Sequence, residues 1–200
     1  MEKKKITGAI MVLVLCTSNM LAQKDSVSKT GMFRAQANIS GGYLFSQKKY
    51  APYISVNIDY YINNNFSVTS EAWVSFDIIN MENIGLRKNY SLFLGLNYHP
   101  LKLSRWDPYI GFSAGGGIHT VNYFQDTLIR ESPVQFSPLV GLTLGCNYYI
   151  GSVFHFFVQA KFVAGGSNSS AYGRTYLEEI KFSGGLGWNF MRRKKSKKGV

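Results

Sequence analysis

Ile180-Lys-Phe-Ser-Gly-Gly-Leu-Gly-Trp-Asn-Phe190 decides the fold. Every second residue is apolar or glycine (Ile180, Phe182, Gly184, Leu186, Trp188, Phe190), and those between are polar or small (Lys181, Ser183, Gly185, Gly187, Asn189). A period of two sustained over this length predicts a strand that crosses a bilayer, one face to lipid and the other to an interior. One such strand leaves both edges unpaired, which hydrocarbon does not tolerate, so partner strands and closure are required.

Seven earlier stretches supply them. Phe33 to Phe45 alternates with Arg34, Gln36, Asn38, Ser40 and Gly42 on the second face, and Ile54 to Ile62 alternates with Ser55, Asn57, Asp59 and Tyr61. Phe66 to Ile78 alternates with Ser67, Thr69, Glu71, Trp73, Ser75 and Asp77. Tyr90 to Tyr98, Pro108 to about Tyr123, Ser137 to Tyr148 and Phe154 to Phe162 complete the set, with Gly115, Gly116 and Gly117 obscuring the parity of the fifth. Turns are expected at Gln47-Lys48-Lys49, at Asn63-Asn64-Asn65, where asparagine tolerates the left-handed backbone, and at Gly151-Ser152. His99 to Asp107 reads as a further connection, and Asn80 to Asn89, Gln125 to Pro133 and Gly165 to Tyr176 read as longer loops. The expected fold is all-β: an eight-stranded antiparallel transmembrane up-and-down β-barrel.

The remainder fits an exported chain. Residues 1–22 read as a signal peptide, with Lys3, Lys4 and Lys5, an apolar centre from Ile10 to Leu15, and a cleavage site after Met20-Leu-Ala22. Leu15 stands where lipidation at Cys16 would need a small residue, so no lipid anchor is expected. Losing Cys16 leaves Cys146 without a disulfide partner, on the apolar face. Residues 23–31 read as a flexible lead-in, 32–190 as the barrel and 191–200 as a basic periplasmic tail. The formal net charge of +11 is concentrated in the leader and in Arg192 to Lys198, so it marks an exported chain with a basic end and not a nucleic-acid binder.

A soluble barrel also alternates, but its solvated face is usually dense in Lys and Glu. Here Ser, Thr, Asn, Gln and Gly dominate the polar face, and the apolar face carries no charge. Aromatic residues bracket the strands, with Tyr43, Phe45, Tyr53, Tyr90 and Phe136 toward one rim and Tyr60, Tyr98, Trp106, Tyr109, Tyr148, Trp188 and Phe190 toward the other. Both features are what lipid and its interfaces select.

The last strand, through Ser183, Gly185, Trp188 and Phe190, resembles the assembly signal of bacterial outer-membrane barrels. Together with Asn63-Asn64-Asn65-Phe66, Tyr98-His99-Pro100 and Asp107-Pro108-Tyr109-Ile110-Gly111, the chain resembles the small OmpA- and OmpX-like outer-membrane β-barrels of the porin family, particularly those of Bacteroidota. The resemblance implies integral residence in the outer membrane, with lipid and the barrel-assembly machinery as partners and a possible extracellular ligand at the loops. The basic tail after the terminal aromatic, with no peptidoglycan-binding segment following the barrel, departs from the OmpA pattern.

A barrel of this size is filled by its own side chains, so inward charges must find partners. Asp59 and Glu71 on neighbouring strands, with Asp77 and Glu179, are expected to meet Lys161, Lys181 and Arg34 across the lumen. A rim hydrolase needs a histidine, a nucleophile and an acid. His119-Thr120 with Asp126 is the one arrangement toward the outer half, while His99 and His155 fall near the periplasmic side, so no catalytic residues are assigned. No spacing suggests a metal or a phosphate loop, and no cofactor is expected. A structural or surface-interaction barrel is the leading reading, a narrow low-conductance pore the alternative and a lipid-modifying rim enzyme the third.

Overall fold

The computed structural model describes residues 28–76, 85–101, 104–125, 128–169 and 173–191. They form β1 (Met32–Leu44), β2 (Lys49–Tyr61), β3 (Phe66–Ser75), β4 (Gly85–Tyr98), β5 (Trp106–Gln125), β6 (Leu128–Glu131), β7 (Gln135–Ile150), β8 (Phe154–Ser169) and β9 (Gly173–Met191). Eight of these are staves of a closed antiparallel barrel, with β4 paired to β5 and β9 returning to β1. The ninth, β6, folds back on the end of β5 from Asn122↔Glu131 to Gln125↔Leu128.

Two expected loops are therefore largely hairpin. Gln125 to Pro133 contains β6, and Gly165 to Tyr176 is the paired stem of β8 and β9, whose ladder continues to Ser169↔Gly173. Where a hairpin rises beyond the apolar belt both faces can be polar, so alternation disappears although pairing persists. Likewise β4 begins at Gly85, inside the expected Asn80 to Asn89 loop. The leader with Cys16, most of the basic tail, Asp77 and Asp126 lie outside the described residues.

Short turns lie at one end. Asn63 Oδ1 accepts from the amides of Asn65 and Phe66, and Gly151 takes φ +71°, a conformation glycine adopts without strain. The same end holds part of the expected lead-in: the Gly31 amide donates to the Tyr61 carbonyl and the Lys29 amide to Asn64 Oδ1, 2.9 Å each.

The outward rows are predominantly apolar between the rims; the outward charge of β9, Glu178, lies at the long-hairpin rim, where its carbonyl accepts from the amide of Phe45. Leu94 (63% exposed), Phe112 (63%) and Val158 (63%) belong to this belt, an exposure that water would penalise and hydrocarbon does not. At the short-turn rim the rings pair across strands, Phe33 with Tyr60 (4.7 Å between centroids), Phe66 with Tyr98 (5.3 Å) and Trp106 with Tyr148 (4.8 Å). Tyr43 and Tyr50 pair at the other rim, 5.0 Å apart.

Two expected rim aromatics are instead inside. Tyr53 (0% exposed) and Tyr109 (4%) have the parity of the lumen-facing rows, and their hydroxyls donate to Glu179 Oε2 and Gln159 Oε1, 2.7 Å each. Large inward rings face inward glycines. Tyr109 is the ladder partner of Gly145 and His155 of Gly187, and a Cβ at either glycine would collide with the ring.

Candidate functional site

The site is the lumen, since the inward rows carry nearly all of the polar chemistry. Its buried charged residues are Lys29, Arg34, Lys161 and Lys181 against Asp59, Glu71, Asp107 and Glu179, four of each sign. A charge in this interior survives only with an opposite partner, and the strands place each one beside its complement.

At the short-turn end Asp107, the first inward residue of β5, is a hub. Its Oδ1 accepts from Lys29 Nζ at 2.7 Å and from His99 Nδ1 at 2.8 Å. Its Oδ2 accepts from Tyr61 Oη at 2.8 Å, Tyr149 Oη at 3.0 Å and Asn147 Nδ2 at 3.2 Å. Arg34 lies against this group: Nη1 donates to Tyr61 Oη at 2.9 Å, and Nε and Nη2 both donate to Asp59 Oδ2, at 3.0 and 2.7 Å. Asn97 Nδ2 donates to the other oxygen of Asp59 at 3.0 Å.

His99 lies just past β4 and is fully buried. Burial pushes its imidazole below the usual range, against the opposing pull of Asp107. The carboxylate can only accept, so Nδ1 carries the proton and Nε2 accepts from the Ser67 hydroxyl at 3.0 Å. Neutral His99 thus links β3 to β5 beneath the barrel.

Midway up, Lys161 of β8 reaches across to Glu71 of β3 at 3.0 Å and also donates to Ser113 at 2.8 Å. Its neighbour Lys181, the direct ladder partner on β9, pairs with Glu179 at 2.9 Å and donates to Ser91 at 3.2 Å. Both ammonium groups lie over rings, Lys161 at 4.1 Å from the Phe93 centroid and Lys181 at 4.5 and 4.9 Å from Tyr53 and Trp73. These rings join Leu44, Ala51, Leu139, Val163 and Leu177 in one buried apolar cluster that caps the ion pairs toward the long-hairpin end.

The expected network is therefore three separate pairs: Arg34–Asp59, Lys161–Glu71 and Lys181–Glu179. Asp59 and Glu71 lie on paired strands but turn to different partners. Sequence reasoning missed Lys29, Asp107, the partnership of His99 with Asp107, and the buried Tyr53, Tyr109 and Tyr149, whereas the alternation of β2 already puts Tyr61 on the inner face. The alternation Trp106, Pro108, Ile110 outward against Asp107, Tyr109, Gly111 inward carries the signal for two of them.

The histidines outside this hub offer little chemistry. His155 Nε2 lies 2.8 Å from Gln36 Nε2. His119 Nδ1 is 3.5 Å from Ser137 Oγ, long for a hydrogen bond. Among the described residues no group of His, Cys, Asp and Glu is arranged to hold a metal ion. Of the expected assembly signal, Ser183 and Gly185 sit on the inward rows, whereas Trp188 (43% exposed) and Phe190 (59%) face outward at the rim.

No protein-family model and no curated protein matches the chain. Solved structures do. OprG from Pseudomonas aeruginosa superposes with a TM-score of 0.55 at 15% identity, over 82% of this chain and 98% of that one. Neisserial surface protein A (NspA) gives 0.55 at 16%, over 82% and 98%. Ail, the attachment invasion locus protein of Yersinia pestis, gives 0.55 at 13%, over 80% and 99%. At such identities the likeness is one of fold, that of the small eight-stranded outer-membrane β-barrels; with the lipid-facing belt, it makes this chain an integral barrel of the outer membrane.

Proposed function

We propose that the chain is a non-conducting, non-catalytic outer-membrane barrel that serves as a scaffold for its long-hairpin end, where surface interactions take place. One observation carries this: four cations and four anions pair off inside the lumen, and an apolar cluster of Tyr53, Trp73, Phe93, Leu139 and Val163 lies above them. A path for ions needs exchangeable charge, and in this lumen each buried cation is engaged with a buried anion. The short-turn end, with Lys29 and the end of β9, then faces the periplasm. The β5–β6 and β8–β9 hairpins face outward, where a rigid wall positions variable segments.

The motifs quoted above favour the OmpA- and OmpX-like type, particularly that of Bacteroidota, and the Ser183, Gly185, Trp188, Phe190 strand is then the segment that the assembly machinery reads. The narrow pore uses the same wall with the charge pairs opening in turn. A rim enzyme would have to recruit His119 and Ser137, which lack a described acid. The reading is tested by flux: vesicles containing the refolded chain and loaded with an ion-sensitive dye should leak no faster than empty vesicles. Fast, saturable leakage would favour the pore.

A further inference from the structure

The seam that closes the barrel is interrupted. Met32 to Gln36 of β1 pair with Gly187 to Met191 of β9, and Gly41 to Leu44 pair with Glu179 to Phe182. Between them, Ala37 to Ser40 and Ser183 to Leu186 keep the register but form no ladder pairs. The gap lies midway along β1, within the apolar belt, where a backbone amide or carbonyl without a partner is most costly. Its lipid side offers no partner: Ala37, Ile39, Gly184 and Leu186 have the outward parity, and none carries a side-chain donor or acceptor. Partners must therefore come from the lumen.

On that side the protein supplies too few. Asn38 Oδ1 accepts from the hydroxyls of Ser40 and Ser55, so these side chains turn toward β2 and not across the gap. Ser183, which the register sets opposite Ser40, is buried, and its hydroxyl has no hydrogen-bond partner in the protein. At the other end of the gap, Gln36 donates through Nε2 to Asn147 Oδ1 at 3.3 Å and lies 2.8 Å from His155 Nε2, while its Oε1 is buried without a partner. Between these ends, Gly185 of the inward row is exposed, and a Cβ there would meet only the Phe157 ring at 3.5 Å and Asn38 at 3.8 Å. At Gly187, by contrast, the His155 ring takes that space. The gap is open toward the lumen, and polar groups that still need partners stand at both its ends.

We propose that bound water fills the lumen side of this gap, bridging the unpaired backbone of β1 and β9 and bonding to Ser183 Oγ at one end and Gln36 Oε1 at the other. The occupant must accept from amides, donate to carbonyls and to Gln36, and fit the space beside Gly185, and water does all three. A charged occupant would have no counter-ion, since Lys161 and Lys181 are engaged with Glu71 and Glu179. The water stops below the apolar cluster of Tyr53, Trp73 and Phe93, so the lumen stays closed to ions.

The test is water-to-amide magnetisation transfer by NMR on the refolded, deuterated chain in phospholipid nanodiscs, its amides back-exchanged to protons. The amides of 37–40 and 183–186 should receive magnetisation from water, and those of Ser70 and Leu94, which pair directly across β3 and β4, should receive none. Gly185→Ala places a methyl group in the space and should abolish the transfer at the centre of the gap while the heat-modifiability of the barrel is kept. Ser183→Ala keeps the shape, removes one anchor and should weaken the transfer at Ser40 and Gly184. No transfer in the gap of the unaltered chain, equal transfer at Ser70 and Leu94, or undiminished transfer in either variant that folds would overturn the proposal.

Discussion

Lys161 and Glu71 sit on opposite walls of the barrel, on β8 and β3, and meet at 3.0 Å through the middle of the lumen. Neither has another charged group to turn to, because Lys181 is engaged with Glu179 and Asp59 with Arg34. The pair is therefore a strut between walls that share no ladder. Glu71→Gln strands the Lys161 charge and should lower the unfolding free energy in urea by about 3 kcal/mol, the cost of an unpaired buried charge. Adding Lys161→Met should restore most of it. An unchanged midpoint for Glu71→Gln would remove the strut from the account.

At the base, Asp107 accepts from five donors on four different segments, whereas Asp59 serves Arg34 and Asn97. Asp107→Asn should therefore cost more than Asp59→Asn, by about 1–2 kcal/mol, since more charged and polar donors lose an anionic acceptor. Parallel urea titrations of the two variants give the ranking, and the reverse order would contradict the hub.

The His99 imidazole is held below its usual range by burial, so the folded barrel resists the proton that the unfolded chain accepts near pH 6.5. Its contribution is complete above that pH and is lost as the pH falls toward the folded value, with a slope of up to about 1.4 kcal/mol per unit. His99→Gln should flatten the acid limb of stability against pH between about 6.5 and 5. Superimposable profiles would show that His99 is not buried neutral.

Gly145 exists to admit the Tyr109 ring. Gly145→Ala should destabilise by about 1–3 kcal/mol through overpacking, and Tyr109→Leu in the same chain should return part of that loss. Additive effects in the double-mutant cycle would separate the two positions.

On the outer face, Leu94→Arg at mid-belt should cost about 2–4 kcal/mol in a bilayer. Refolding yield and urea midpoint in vesicles measure it, and a neutral result would mean that Leu94 does not face lipid.

Much of the barrel was legible because its physics is periodic. A wall between lipid and a packed interior must alternate, and Ile54 to Ile62 or Phe154 to Phe162 say so without help. The alternation failed where its cause failed. Gly165 to Tyr176 looked like a loop because polar residues occur on both parities above the belt, yet β8 and β9 remain paired there. Residue type alone places Tyr53 and Tyr109 at the rims, whereas their parity puts them inside, where Glu179 and Gln159 are their hydroxyl partners. Six of the eight buried charges of the lumen can be named from their parity, Lys29 and Asp107 being the exceptions, but their pairing cannot. Which acid meets which base depends on closure, as in Lys29 meeting Asp107 from a segment that precedes the first strand.

The central claim is that the lumen is closed, and single-channel recording of the refolded chain in planar bilayers tests it most directly. The account predicts a folded, heat-modifiable barrel that gives no discrete conductance at any voltage the bilayer withstands. Stepwise openings that change in size when Glu71 or Lys181 is neutralised would contradict it and make those residues the gate of a pore.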